Sequence, residues 1–365
     1  MRPVKLIVDG PNLAHRCRHA YNLATTKGRP TGVLYGCLTS LALWIERFDP
    51  DEVIFIWETP HESWRYEVYP EYKSARHKRI LDLSTEDFQE FDIFRMIQMN
   101  DVKKALKGMG IRQLAVPKLE ADDVLGLLAM ERKEDNSKYV VISTDQDMLQ
   151  LVRRDRCKVY SPLKDIVYHE DRVGRLVGKG EVVAPSPYTY LAWRTAIGDV
   201  SDSIPGVKGI GEKTIHKALG TARWNGESIS TYFYSGSFSE KQKQKISHNR
   251  VLLKRNLSLM ALGKEAFLPK LEPHYGGETA QEFMHICTVQ GRSWREGDTH
   301  LAYPTFLRSE KYPSPMLIFF RKREFSFAFD PIQWKEWIRA YRRLYRRTQA
   351  TNKKNWNIPE GKWDI

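Results

Sequence analysis

The sequence predicts an α/β fold built on a parallel sheet with helices on both faces. Three observations predict it. Four short runs rich in Val, Ile and aromatic residues read as buried strands, and segments of helical periodicity separate them. Such alternation marks a parallel sheet, because each parallel strand needs a crossover that a helix supplies. With 365 residues and 41% hydrophobic content, the chain can also bury a substantial core and form two or three domains.

In chain order, the expected strands are "VKLIVD" (4–9), "EVIFIWE" (52–58), "IRQLAVP" (111–117) and "KYVVISTD" (138–145). Expected helices include "GVLYGCLTSLALWIERF" (32–48) and "FDIFRMIQMNDVKKALKGMG" (91–110). The polar, basic stretch 66–95 is long enough to be an excursion from the sheet. "GKGEVVAPSPYT" (178–189), with two prolines, ends the sheet domain, which is set at 1–185. A helical region follows over 186–265, with a Lys-rich helical segment at 240–260. Residues 266–365 read as a C-terminal extension. It holds an apparent hairpin, "MLIFFRKREFSFAFD" (316–330), and a basic helix on which Trp334, Trp337, Ile338, Tyr341, Leu344 and Tyr345 share one stripe.

The chain carries 58 Lys+Arg against 45 Asp+Glu, a formal charge of +13. Such a field concentrates a polyanion, either nucleic acid or an anionic membrane surface. Cys17, Cys37, Cys157 and Cys287 are scattered without a CxxC pair, which argues for a reduced, intracellular protein rather than a zinc or disulfide framework. The apolar stretch before Asp9 is too short for a secretory signal, and no run approaches the ~20 apolar residues of a membrane span. A soluble protein without a membrane partner is expected.

Against this basic background the acids cluster. In open α/β sheets, ligands collect outside the carboxyl ends of the strands. Asp9, Glu58 and Asp145 end the first, second and fourth expected strands, and Glu120 follows the third after a short turn. "LEADDVLG" sets Glu120, Asp122 and Asp123 on one side of a first helical turn, since neighbouring positions lie about 100 degrees apart. Asp145 and Asp147 flank Gln146 in "STDQD". Two unit charges about 4 Å apart repel by ~4 kcal/mol at an effective dielectric of about 20, so such a set calls for cations. Carboxylate oxygens suit hard divalent ions, and a pair of these suits phosphodiester hydrolysis. First-turn acids also favour the helix dipole without further function; the joint placement at strand ends carries the functional reading.

"GDVSDSIPGVKGIGEKT" (198–214) is the most specific stretch. Gly206, Gly209 and Gly211 permit a tight turn between helices whose backbone N–H groups can approach a phosphate, and Lys208 and Lys213 supply matching charge. This helix-hairpin-helix pattern grips one DNA strand by its backbone without reading sequence. Asp199 and Asp202 lie just before the turn.

These pieces, with "LIVDGPNLAHR" and "SWRYEVYPEYKSAR", occur in the order seen in the flap endonuclease and 5′-3′ exonuclease superfamily. The chain resembles that family over roughly residues 4–260, in particular bacteriophage 5′ nucleases and the 5′ nuclease domain of bacterial DNA polymerase I. The resemblance implies a PIN-like sheet domain, a helical arch near 66–95 and a helix-two-turn-helix (H3TH) region over 186–265. It implies two Mg²⁺ or Mn²⁺ ions. Asp9, Glu58, Glu120 and Asp122 would hold the first, with Asp123 beside them, and Asp145, Asp147, Asp199 and Asp202 the second. Glu58 departs from the family's usual Asp. By the same resemblance, Arg65, Lys73 and Arg76 contact the scissile phosphate or adjacent backbone and Tyr72 stacks on a base. Lys73 and Arg76, with Asp9, Glu120 and Asp145, are the expected catalytic set. A potassium ion is implied at Ser203, Val207 and Ile210.

The expected activity is that of a structure-specific 5′ nuclease acting on DNA with 5′ ends, flaps, nicks or branches, in replication, repair or recombination. RNA/DNA hybrids are a further expected substrate. The setting implied is a bacterial cytoplasm or a phage-infected cell, and a monomer is expected. A PIN-like ribonuclease is one rival, although that class normally lacks the hairpin. A non-catalytic branched-DNA-binding homologue is another, although it would have lost several of the acids.

Overall fold

The computed structural model describes residues 2–59, 62–129, 136–170, 173–177, 180–263 and 319–325, with positions 338, 339, 341, 343, 344 and 347. A mixed sheet runs through β1 (Val4–Asp9), β2 (Glu52–Ile56), β3 (Arg112–Leu114), β4 (Lys138–Ile142), β5 (Cys157–Ser161) and β6 (Ile166–Tyr168), in the order β3-β2-β1-β4-β5-β6. All neighbours pair in parallel except β5 and β6. A separate antiparallel hairpin joins β7 (Val173–Val177) to β8 (Gly180–Ala184). The register sets Ile7 between Ile54 and Val141, and Val8 between Phe55 and Ile142.

The connecting helices are α1 (Gly10–Ala20), α2 (Gly32–Phe48), α3 (Arg65–Val68), α4 (Ser74–Leu81), α5 (Thr85–Ile93), α6 (Met99–Gly108) and α7 (Ala121–Ala129). After the sheet come α8 (Pro187–Ile197), α9 (Glu212–Leu219), α10 (Ile229–Tyr234), α11 (Glu240–His248) and α12 (Arg250–Met260). Alternate strand residues point to opposite faces, so two apolar cores form. Leu6, Val8, Phe55 and Ile142 meet α1, α2 and α6 on one face, where Phe320, Phe325, Ile338, Tyr341 and Leu344 also pack. Ile7, Ile54 and Val141 meet α7 on the other, and that core continues into α8 to α12.

The helix expected over 32–48 forms with those bounds. The one expected over 91–110 continues from α5 through a π-helical turn at Phe94–Gln98 into α6. The expected strand 111–117 shortens to Arg112–Leu114 at the sheet edge; Pro117 has no N–H to extend a ladder. Two further sheet strands, β5 and β6, lie outside the four expected ones, because "CKVYS" and "IVY" are too short and mixed to show a period. β8 occupies the start of the proline-rich 178–189 stretch. Residues 319–321 are helical and 322–324 form a turn, rather than a strand of the expected hairpin; 316–318 and 326–330 lie outside the described residues. So do Trp334, Trp337 and Tyr345. Ile338, Tyr341 and Leu344 are buried as their stripe requires, and Arg343 and Arg347 pair with Asp49. Among the described residues no helix is long and apolar enough to cross a membrane.

One buried ion pair fastens α3 to α7. Arg65 Nη1 and Nη2 donate to the two Asp123 carboxylate oxygens at 2.7 Å each, and its Nε donates to the Leu259 carbonyl at 2.8 Å. Trp64 Nε1 and the Glu120 N–H also donate to Asp123, both at 3.1 Å. Asp123 is 0% and Arg65 3% exposed, so removing either leaves a stranded charge in the core. Asp123→Ala is expected to cost about 3–5 kcal/mol of stability. Urea unfolding checks this, and Asp123→Leu combined with Arg65→Met should recover most of the loss.

Candidate active site at the carboxyl edge of the sheet

The carboxyl ends of the parallel strands collect the acids in this structure. Asp9 is the last residue of β1 and also caps α1, accepting from the Asn12 N–H at 3.1 Å. Its other oxygen accepts from the Ser143 hydroxyl, just past β4, at 2.8 Å. Asn12 in turn accepts from the Thr144 N–H and hydroxyl at 3.1 and 2.8 Å, so the loops after β1 and β4 are locked together. Asp145 caps the 3₁₀ helix Gln146–Leu151 and accepts from the Asp147 N–H at 2.8 Å. Glu120 and Asp122 stand at the head of α7.

The electrostatics divide these acids into two kinds. Burial and the neighbouring charges of Asp145, Asp9 and Glu120 raise the Asp122 carboxyl well above its ordinary range. Asp9 is raised to about 6, chiefly by burial, although its two hydrogen bonds pull the other way. The crevice walls and the charge of Asp147 push Asp145 up to about 7. Glu120 behaves oppositely. Burial disfavours its charge, but Lys73 and Arg65 outweigh burial and hold it at about 2.

The excursion from the sheet delivers those cations. Its middle is helical, formed by α4 and α5, and Lys73 enters it with a left-handed backbone, φ 55°. The Lys73 N–H donates to the Asp202 carbonyl at 2.9 Å, which ties α4 to the loop after α8. Lys73 Nζ then reaches Glu120 Oε2 at 2.7 Å, and Arg76 Nη2 reaches Asp202 Oδ1 at 3.1 Å. Glu58 lies exposed beyond β2, close enough for its charge to raise Asp9.

Three expectations need correction. Arg65 does not face a nucleic acid; its guanidinium is spent on Asp123 inside the core. Asp123 is correspondingly no candidate ligand, because both its oxygens point into that pair. Tyr72 is 2% exposed, and its hydroxyl donates to Glu120 at 3.0 Å and to Asp202 at 3.1 Å, so no ring face is offered to a base. One residue was missed. Arg194 Nε donates to Asp147 Oδ1 at 3.0 Å, and its Nη2 pairs with Asp199. The signal was a lone arginine within the otherwise apolar "YLAWRTAI" of α8.

The glycine-rich turn joins α8 to α9. A Cβ on Gly206 would lie 2.0 Å from the Ile197 carbonyl oxygen, so only glycine lets the turn close there. Gly209, Gly211, Lys208 and Lys213 are exposed, while Val207 and Ile210 anchor the turn in the core at 3% exposure each. The Ser203 hydroxyl accepts from the Ala75 N–H of α4 at 3.1 Å, and the Val207 carbonyl accepts from the Ile210 N–H at 2.9 Å. Between this turn and the acids runs a crevice of about 780 Å³, lined by Asp145, Arg194, Asp199, Gly211 and Lys213 among others.

One part of this donor set has the charge and oxygen chemistry that a divalent cation takes. Asp9, Asp122 and Asp145 repel one another, and no lysine or arginine forms an ion pair with any of them among the described residues. Among those residues no three acidic, histidine or cysteine side chains already close on a point as a metal-holding group. The chemistry of a cation site is therefore present, in an open arrangement.

Comparison with known proteins agrees with this architecture. Residues 4–178 match the family described as the 5′-3′ exonuclease, N-terminal resolvase-like domain. The chain is 32% identical over 224 residues to the thermostable DNA polymerase I of Thermus aquaticus, covering 59% of this chain and 23% of that one. It is 32% identical over 209 residues to the 5′-3′ exonuclease of Aquifex aeolicus, covering 57% and 66%. It thus spans less than two thirds of either relative. In fold it resembles the bacteriophage T5 D15 flap endonuclease solved with DNA and metal ions, with TM-score 0.58, 18% identity, and coverage of 77% of this chain and 96% of that one. It also resembles T5 5′-exonuclease with bound zinc, with TM-score 0.53, 20% identity, and coverage of 71% and 90%. The family match and the curated relatives lead to one conclusion: residues 4–178 form a domain of the 5′-3′ exonuclease family.

Proposed function

We infer that the protein is a structure-specific 5′ nuclease that hydrolyses DNA phosphodiester bonds with the help of a divalent cation, Mg²⁺ or Mn²⁺. One observation carries the reading: the mutually repelling Asp9, Asp122 and Asp145 stand at the same sheet edge to which α4 delivers Lys73 and Arg76. The relatives named for 5′-3′ exonuclease activity support it. Asp9, Asp122 and Asp145, with Glu120 and Glu58 nearby, would hold the cation, which supplies Lewis-acid stabilisation of a phosphate and an activated water.

The chain's own residues do the rest. Glu120, kept ionised by Lys73, fixes that ammonium over the edge, where a phosphate can exchange for one of its contacts. Arg76 is more than half exposed at its side chain and free to swing from Asp202 to a backbone phosphate. Gly206, Gly209 and Gly211 offer backbone approach and Lys208 and Lys213 offer charge, so grip follows strand shape rather than sequence. A monovalent cation on the Val207 and Ile210 carbonyls near Ser203 is the finer part of this proposal. In this reading residues 1–185 carry the chemistry, 186–265 hold duplex, and replication, repair or recombination is the setting.

The deciding experiment uses 5′-end-labelled flap, nicked, gapped and hybrid substrates with Mg²⁺, Mn²⁺ or EDTA. A wild-type protein that binds branched DNA but cuts none of them in either metal sinks the reading. Lys73→Met is expected to lower the single-turnover rate by roughly 10²–10³-fold with little change in flap affinity, the loss typical of one preorganised donor. Asp122→Asn should abolish cleavage while retaining flap binding in a gel-shift assay. Asp9 and Asp145 must shed their protons to take a cation. Mn²⁺ affinity by calorimetry should therefore climb from pH ~5 to pH ~8, with proton release that fades as pH passes about 7.

A further inference from the structure

Of the four carboxylates expected to hold a second divalent ion, Asp147, Asp199 and Asp202 are already engaged by side-chain cations or hydroxyls, and only Asp145 is not. Arg194 projects from the last turn of α8 with its side chain 9% exposed. Its Nε donates to Asp147 Oδ1 at 3.0 Å, its Nη2 pairs with Asp199 Oδ2, and its Nη1 donates to the Gly198 carbonyl at 3.3 Å. The remaining Asp199 oxygen accepts from the Ser201 N–H at 2.7 Å, the Ser201 hydroxyl at 2.6 Å and the Asp202 N–H at 3.2 Å. Asp202 is held by Tyr72 and Arg76. Both oxygens of Asp199 and one of Asp147 are therefore committed, and a guanidinium lies between the two residues. At Asp9, Asp122 and Asp145, by contrast, no side-chain cation forms an ion pair among the described residues.

We propose that Arg194 is the resident cation of this half of the site, standing where a second divalent ion would otherwise bridge Asp147 and Asp199. The chain then holds one divalent ion tightly, at Asp9, Asp122 and Asp145, and admits a second there only by displacing a buried, forked guanidinium. A buried guanidinium in fixed contact with two carboxylates is a strong competitor, because dislodging it exposes three charges that the fold has already paired. The inference rests on the metal-dependent reading above and restricts it to one tight ion.

The test counts ions rather than turnover. The full-length chain is titrated with Mn²⁺ at pH ~8, with bound metal read by electron paramagnetic resonance and calorimetry. Wild type should bind one tight equivalent, with any second about tenfold weaker or more. Arg194→Gln should bind two equivalents within about threefold of each other, provided its circular dichroism matches wild type. Asp147→Asn, which keeps the fold's hydrogen-bonding shape, should leave the single tight equivalent unchanged. Two tight equivalents in wild type, a second site in Arg194→Gln no tighter than in wild type, or loss of the tight ion in Asp147→Asn each overturns the proposal. Wild type binding no Mn²⁺ overturns the metal-dependent reading as well, which separates the two failures. If Arg194→Gln does not fold, the wild-type and Asp147→Asn counts still decide.

Discussion

The arrangement of this molecule follows from one constraint: negative charges brought to a single edge of a parallel sheet must be offset by something positive. A parallel sheet sends every strand's carboxyl end the same way, so residues far apart in sequence, Asp9 and Asp145 among them, meet whether or not their charges agree. Much of the surrounding structure can be understood as the answer to that crowding. Lys73 answers Glu120, Arg76 answers Asp202, and Arg194 answers Asp147 and Asp199. Asp9, Asp122 and Asp145 are left without such an answer among the described residues, and burial, with neighbouring carboxylate charge, raises all three carboxyls.

The offsetting cations come from outside the sheet, and this ties the acidic edge to the rest of the fold. Lys73 and Arg76 reach it only because α4 is pinned to the loop after α8, through the Lys73 N–H on the Asp202 carbonyl and the Ala75 N–H on the Ser203 hydroxyl. That same loop leads into the glycine turn. The excursion, the acids and the turn are therefore one connected unit. A shift of the turn would be felt at Glu120 through two hydrogen bonds and a lysine side chain. The Arg65–Asp123 pair serves the same unit from behind, since it holds the head of α7 in register with the segment that precedes Lys73.

The two faces of the sheet have different work. One is covered by α1, α2 and α6, and receives Phe320, Phe325 and the Ile338–Tyr341–Leu344 stripe, so part of the chain beyond residue 266 is docked on the face away from the crevice. Asp101, buried and bonded by both Arg29 and Arg323, fixes that docking. The other face carries α7 to α12 and the crevice. The arginines at 343 and 347 pair with Asp49 on the docked side.

By itself the sequence determined the parallel sheet, the helix over 32–48, the gathering of Asp9, Glu120 and Asp145 at one edge, and the glycine turn; Glu58, expected to end the second strand, lies exposed beyond β2. Each rests on a local signal: hydrophobic period, a strand-end acid, or a backbone position only glycine can fill. Short mixed strands such as β5 and β6 carry no period, and their pairing is decided by neighbours distant in sequence. The partner of each charge is decided in the same way. "EADD" looks like three equivalent acids, yet Glu120 meets Lys73, Asp122 faces other carboxylates and Asp123 closes on Arg65. Those fates depend on which side of α7 each side chain leaves from and on what α3, α4 and α12 bring against it. Only the tertiary structure could show that Arg65 and Tyr72 are buried supports, or that Arg194 is a cation of the site, because a charge acquires its role from what folding places within a few ångströms of it.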